Sequence, residues 1–329
     1  MKVAELRAKI AERQEERHVV KLGEIQIADD ASSIMLGPEP GAAQYYLDDH
    51  ATRMLGRYLK IPRPYLLGLP PQFRANLLRF HRDQHPEAET VVETLGDSLV
   101  SVHAPHLLMI PLERVADIVT RLVSDQAEVR TFLRDEKIFH LDVTDPRYSV
   151  AVPAGDGQET IFGGVRIVVC PNEVRPPVVV TYVHHEPTGG AMVTDMDAGR
   201  IKLKGRSLDE VLDEIECQAE TVLAGLDERL AAFAATRDIE VPGTALAFAT
   251  RLLCEASMPV RVRDAVGALV NQLASDATVY DVTCAIASVA SRINYGTAMR
   301  LQQLCGQLAF NAEQTVRRCS QCEQLLVVV

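Results

Sequence analysis

Tryptophan is absent, and phenylalanine and tyrosine are scarce: aromatic residues make up 5% of the 329 positions. Recognition by ring stacking must therefore rest on a few side chains. No stretch approaches the about 18 consecutive apolar residues of a membrane span. Met1 to Arg17 is charged and lacks the apolar centre of a secretory leader. The chain has no Walker-type phosphate loop, no Gly-x-Gly-x-x-Gly after a strand and no Gly-x-Ser-x-Gly elbow. No nucleotide-loop or serine-hydrolase chemistry is implied, and no cofactor is expected. The seven cysteines are an odd number scattered through a long chain, which is no disulfide framework. Free, mostly buried thiols in a reducing cytoplasm are the expectation, with no membrane involvement.

Hydrophobic residues make up 47% and charged residues 24%, an ordinary globular composition that argues against disorder. Net charge is −11, so a whole-protein basic footprint for nucleic acid is missing. One absence within this acidic chain is more telling. Between Ala51 and Arg82 there is no Asp or Glu, while the stretch carries Arg53, Arg57, Lys60, Arg63, Arg74, Arg79 and Arg82. Arg53, Arg57 and Lys60 recur at helical spacing and share one face. Tyr58, Tyr65, Phe73 and Phe80 interleave with them. Charges along a surface with rings nearby are what sequence-independent binding of a single strand needs. Arg also offers phosphate a planar fork that Lys lacks. The competing reading is internal pairing: Leu208 to Glu228 holds eight acids and no Lys or Arg, and the rings could be core.

Periodicity predicts an α+β chain. A short charged helix over residues 2–17 precedes a strand from His18 to Ile27 and a Gly/Pro loop over 28–44. Helices are expected from Leu47 to Lys60, ended by Pro62 and Pro64, and from Pro71 to His85. Short strands follow at Thr90–Leu95, Leu99–His103, Val129–Leu133, Ile138–Val143, Ile161–Cys170 and Val178–His184, interrupted by a helix from Pro111 to Ser124. Gly163-Gly164 and Gly189-Gly190 read as turns or bulges. After residue 205 the pattern is helical. Ser207 and Glu210 form a capping box, and further helices fit 243–256, 260–274, 278–294 and 297–317. The expected division is a mixed part over 1–205 with a largely antiparallel sheet, an all-helical part over 206–317 and a tail over 318–329.

Candidate chemistry is thin. His103-x-x-His106, and His184-His185-Glu186 with Asp195 and Asp197, could hold a metal. However, Pro105 breaks the first pair as a helical face, and neighbours on a strand point to opposite sides. Cys319-x-x-Cys322 lacks two further zinc ligands at a suitable spacing, and Asp142 and Asp145 are an unexceptional carboxylate pair. Cys170, Cys217, Cys254, Cys284 and Cys305 sit in apolar patterns and read as core. The apolar tail, Leu325 to Val329, either adds a strand to a neighbour or tucks into its own fold. No residue is assigned a catalytic or metal-binding role.

Several stretches nevertheless resemble a known family. "RMLGRYLKIPRPYLLGLPPQFRANLLRF", ending at Phe80, is similar to a helix, Ile-Pro turn, Tyr-Leu and Leu-Pro run. "VVETLGDSLVSVH", Val91 to His103, is similar to two strands around a Gly-Asp turn. "IFGGVRIVVCPNEV", Ile161 to Val174, resembles a Gly-Val strand with an Asn-Glu-Val element. "TVYDVTCAIASVAS", Thr278 to Ser291, followed by "LQQLCGQLA", resembles a late helix pair. Together and in this order they resemble the phage/plasmid-like proteins of the "domain of unknown function 932" family. The chain departs from that pattern at "HLLMIP", His106 to Pro111, and at "HHEPTGG", His184 to Gly190. The family implies no activity of its own; its association with phage and plasmid replication or recombination genes implies DNA metabolism.

The expected function is non-enzymatic binding or annealing of single-stranded DNA by a homo-oligomer in the host cytoplasm. Arg53, Arg57, Lys60, Arg63, Arg74, Arg79 and Arg82 would hold phosphates and Tyr65 would support a base. Two alternatives are a phage structural or host-directed assembly protein and a metal-dependent enzyme using the histidines.

Overall fold

The computed structural model of the chain describes residues 1–13, 15–37, 42–135, 138–154, 157–171 and 175–326. Along these run α1 (Leu6–Ala11), β1 (Glu16–Lys21), β2 (Ile25–Ile27), β3 (Ser33–Leu36), β4 (Gln44–Tyr46), α2 (Asp49–Tyr58), α3 (Arg63–Gly68), α4 (Pro71–Asp83), β5 (Glu89–Leu95), β6 (Ser98–His103) and α5 (Leu112–Leu122). The chain continues through β7 (Glu128–Arg134), β8 (Phe139–Ala154), β9 (Gly157–Val169), β10 (Val178–His185) and β11 (Gly190–Val193). It ends with α6 (Leu208–Ala224), α7 (Leu226–Ala235), α8 (Ala245–Glu255), α9 (Val260–Val270), α10 (Val279–Ala290), α11 (Tyr295–Phe310) and α12 (Ala312–Leu326). The protein is α+β, with its sheets first and its helices gathered toward the C-terminus.

The strands form two sheets. The first has the order β1-β5-β6-β4-β3-β2 and is antiparallel except where Tyr46 meets Ser98 in parallel. The second has the order β11-β10-β9-β8-β7 and is antiparallel throughout. The single strand expected over His18–Ile27 is two strands. A turn at Leu22–Glu24 is pinned by bonds from the amides of Leu22 and Gly23 to Ala88 O and Pro86 O. The stretch expected to be loop contains β3 and ends on the first residue of β4. Its Pro38-to-Gly41 portion lies outside the described residues, as does the Asn172–Val174 element.

Helix ends follow their capping chemistry. Asp48 Oδ1 accepts the Ala51 amide at 2.7 Å and starts α2. Ser207 and Glu210 exchange side-chain and backbone bonds at the start of α6, as their spacing predicts. The helical run after Ser207 breaks at Gly225, and the run over 297–317 breaks at Asn311, so each holds two helices where periodicity alone suggested one. The helix expected to end at Pro62 and Pro64 ends at Tyr58, ahead of both, and Pro64 then sits in the first turn of α3, where no amide donor is required. The helix expected over 2–17 shortens to α1 after a tight turn at Val3–Glu5, and its last two residues, Glu16 and Arg17, open β1.

Residue 205 does not divide the core. Val211, Leu212, Ile215 and Leu223 of α6 pack with Leu141, Val143, Val165 and Ile167 of the second sheet. Val183 and Met192 pack with the later helices. Each such aliphatic side chain contributes about 1.5–3 kcal/mol on full burial. Close backbone approach sets two glycines. Gly164 lies inside β9, where a Cβ would stand 1.8 Å from Val143 O; a Cβ at Gly306 of α11 would stand 1.8 Å from Val193 O. Gly163 and Gly164, read from sequence as a turn or bulge, lie within β9, paired with Val183 and Tyr182 of β10, at the point where the register with β8 shifts between Thr144 and Ser149. Gly189 does occupy a turn, with φ +63°. Gly164→Ala is expected to destabilise the protein by at least about 3 kcal/mol in urea titration, because backbone rather than a movable side chain blocks the new methyl.

Candidate nucleic-acid interface

One face of α2 buries Ala51 and Leu55 against the first sheet, which leaves Arg53 and Arg57 on the outward side. Two features bring α3 back against them. Lys60 adopts φ +60°, and the Ile61 amide reaches back to Gly56 O at 2.8 Å, closing the helix end in a left-handed turn. Gly56 then admits Leu66 of α3, whose Cδ2 would stand 2.3 Å from any Cβ there. The result is a cleft of about 490 Å³ lined by Arg53, Arg57, Lys60, Arg63 and Arg175, with His50 on its wall. Among the described residues lining it there is no carboxylate. Arg53 Nε donates to Asp49 O at 2.9 Å.

The structure brings four of the sequence-predicted cations together and places three elsewhere. Arg74 donates to Leu69 O at 3.3 Å. Arg79 Nε donates to Ile27 O at 3.1 Å, and its Nη2 meets Asp29 at 2.6 Å. Arg82 Nη1 donates to Ile25 O at 2.8 Å, and its Nη2 approaches Asp83 to 2.6 Å. Arg79 and Arg82 thus tie α4 to the outer carbonyls of β2 and do not join the cleft. Arg175, far along the chain between β9 and β10, was not singled out from sequence; nothing local marks it.

The rings also divide. Tyr58 is half-buried, with its hydroxyl 2.7 Å from Thr90 Oγ1. Tyr65, Phe73 and Phe80 are 60%, 64% and 62% exposed on α3 and α4, and so are not core. The acidic helix α6 pairs its carboxylates elsewhere: Glu216 with Arg121, Glu214 with Arg206 and Asp209 with Arg114. Among the described residues no ion pair joins it to the basic segment.

Sequence reasoning missed a buried polar network on the second sheet. Asp142 and Arg166 are cross-strand partners joined by two bonds, Nε–Oδ1 at 2.6 Å and Nη2–Oδ2 at 2.8 Å. His140 Nε2 lies 2.8 Å from Asp142 Oδ1, and its Nδ1 lies 2.7 Å from the Tyr295 hydroxyl of α11. The Arg166 guanidinium sits 5.4 Å over the Tyr182 ring. Burial by itself would raise Asp142, but Arg166 and His140 outweigh it and hold the carboxyl well below the usual range. The carboxylate is therefore spent inside the fold. It makes no pair with Asp145, which instead accepts from Ser124 and Arg147.

The histidines separate likewise. His184 lies beside Tyr182 and Glu186 on one face of β10. His185 faces Thr188 at 2.8 Å, Glu159 at 3.1 Å and Tyr280 at 3.1 Å on the other. His103 is buried 3.3 Å from Glu93, while His106 is exposed. Among the described residues no three His, Cys, Asp or Glu side chains converge as metal ligands. Cys284, Cys305 and Cys319 are buried, but Cys217 and Cys254, expected in the core, are exposed on the outer faces of α6 and α8. The Cys322 side chain and the tail from Leu325 lie outside the described side chains. Among the described residues no helix is long and apolar enough to cross a membrane. No family model, curated protein or solved structure matches the chain.

Removing Arg166 strands a buried carboxylate. Arg166→Met should therefore cost about 3–5 kcal/mol in chemical denaturation, and adding Asp142→Leu should restore part of it. His184 gives a pH signature. Burial, aided by Arg130 and opposed by Glu186, lowers it to about 4 from an ordinary 6.5. The unfolded chain then binds the extra proton first, so this contribution is complete above pH 6.5 and is lost as pH falls toward 4. Between pH 7 and pH 5 the wild type should lose on the order of 2 kcal/mol more stability than His184→Gln, by urea titration at both pH values.

Proposed function

We propose that the protein binds single-stranded DNA through the cleft between α2 and α3, without catalysis and without a cofactor. The observation that carries this reading is the convergence of Arg53, Arg57, Lys60, Arg63 and Arg175 on one cleft, in a molecule whose net charge is −11. Binding a polyanion there releases condensed counterions, which drives association whatever the sequence. The exposed rings of Tyr65, Phe73 and Phe80 supply π-faces on which unpaired bases can stack, at about 1–3 kcal/mol per base. A duplex hides those faces, so the combination favours single strands. The resemblance to phage- and plasmid-borne proteins accords with a role in recombination or replication, where a homo-oligomer would multiply a modest site along a strand.

Anisotropy with a labelled oligonucleotide tests this. The wild type should bind with micromolar or tighter affinity at low salt. Arg53→Ala/Arg57→Ala/Lys60→Ala should weaken binding at least about tenfold and lower the salt slope by roughly one for each phosphate that is no longer neutralised. Arg79→Ala should reduce stability and leave the slope unchanged. No binding by the wild type, or an unchanged slope in the triple variant, would sink the assignment.

A further inference from the structure

We infer that Thr188 is a nucleophile for acyl transfer, with His185 as its general base, and that this site splits small carboxylic esters. The site belongs to the second sheet and does not rest on the nucleic-acid reading of the α2–α3 cleft.

The turn between β10 and β11 builds it. His185 ends β10 opposite Gly190 of β11, and the chain between them passes through Gly189 at φ +63°. That conformation suits glycine, and it accompanies a turn in which Thr188 Oγ1 stands 2.8 Å from His185 Nδ1. On the far side of the ring, Nε2 stands 3.1 Å from Glu159 Oε2 of β9 and 3.1 Å from the Tyr280 hydroxyl of α10. Tyr280 donates to the same Glu159 oxygen at 2.9 Å. A hydroxyl within bonding reach of an imidazole whose other nitrogen meets a carboxylate is the arrangement of a nucleophile, its base and the group that orients the base.

The hydrogen-bond count agrees. With Nε2–H donated to Glu159, Nδ1 is left to accept the Thr188 hydroxyl proton. Burial holds His185 below its ordinary 6.5 against the opposing pull of Glu159, so the ring is neutral and basic at pH 7. The Gly190 amide donates to Thr188 Oγ1 at 3.2 Å, which stabilises negative charge there as the proton leaves. One lone pair of the oxygen remains for attack. Among the described residues the Thr188 amide has no acceptor, which leaves it for a developing oxyanion. Thr188 is half-buried beside exposed Glu186, Pro187 and Gly189, so a small ester reaches Oγ1 from solvent.

Thr188 Oγ1 attacks the ester carbonyl carbon as its proton passes to His185 Nδ1. The bond from that carbon to the alkoxide breaks, the alkoxide takes the proton from Nδ1, and the acyl group stays on Oγ1. Water then attacks the same carbon and gives a proton to Nδ1. The bond to Oγ1 breaks, the proton returns to Oγ1, and the acid departs. Ester and water have become acid and alcohol.

The test treats the full chain with p-nitrophenyl acetate, follows release of p-nitrophenolate and maps acetyl groups by peptide mass spectrometry. The wild type should give a burst approaching one equivalent per chain, with the acetyl group on Thr188. Thr188→Ser should keep the burst and Thr188→Val should abolish it, each with a cooperative melt. His185→Gln should slow acetylation of Thr188 by about a hundredfold or more. Glu159 acts through His185, as a positioning residue. Its hydrogen bond and charge raise His185 against burial, so Glu159→Gln should move the acid limb of the rate profile to lower pH, which a merely structural role would not do. Acetyl groups on lysines and the N-terminus alone would overturn the inference. So would a burst of the same size in Thr188→Val, or an unchanged rate of Thr188 acetylation in His185→Gln.

Discussion

The fully buried Asp142–Arg166 pair constrains the second sheet more than any aliphatic contact does. A carboxylate and a guanidinium removed from water must be matched to each other, and here adjacent strands present them in register with two parallel bonds. His140 and the Tyr295 hydroxyl take up the remaining hydrogen-bonding capacity, so the network also fixes where α11 begins on the sheet. A slip of one residue between β8 and β9 would separate the two charges and turn one of them onto the face occupied by Leu141, Val143, Val165 and Ile167. Such a pair adds little net stability, but it penalises every alternative register heavily. The helices that cover the sheet depend on that register.

Much of the secondary structure was legible because its causes are local. Ser207 with Glu210 announces a helix start through the oxygen that caps it, and the β-branched runs at 161–169 and 178–185 announce strands. The basic face of α2 was legible for the same reason, since Arg53, Arg57 and Lys60 are spaced by the helix itself. What stayed hidden was non-local. Nothing near Arg175 marks it as a wall of the α2–α3 cleft, and nothing near Arg79 or Arg82 announces that carbonyls of β2 will take their donors. Asp142 gives no hint in sequence that its partner is Arg166, because the pairing is decided by strand register. Gly163-Gly164 was legible only as a turn or bulge, because glycine's two uses, freedom of φ and absence of a side chain, are indistinguishable in one sequence.

The same distinction bears on function. Composition makes the chain an unpromising partner for nucleic acid, while the fold gathers Arg53, Arg57, Lys60, Arg63 and Arg175 on one cleft. Asp209, Glu216 and Glu214 of α6 pair with Arg114, Arg121 and Arg206. On the function proposed above, the net charge of −11 would lower the overall attraction for a strand while the cleft favours where it lands.

The arginines that leave the cleft have an effect of their own. An outermost strand ordinarily shows a row of bare carbonyls and amides to any chain that drifts past. On β2, Arg79 and Arg82 already occupy the carbonyls of Ile27 and Ile25. That margin of the first sheet is sealed against lateral growth, so ribbon-like stacking of one copy onto another would have to begin from the opposite margin, where β1 leaves Val19 exposed.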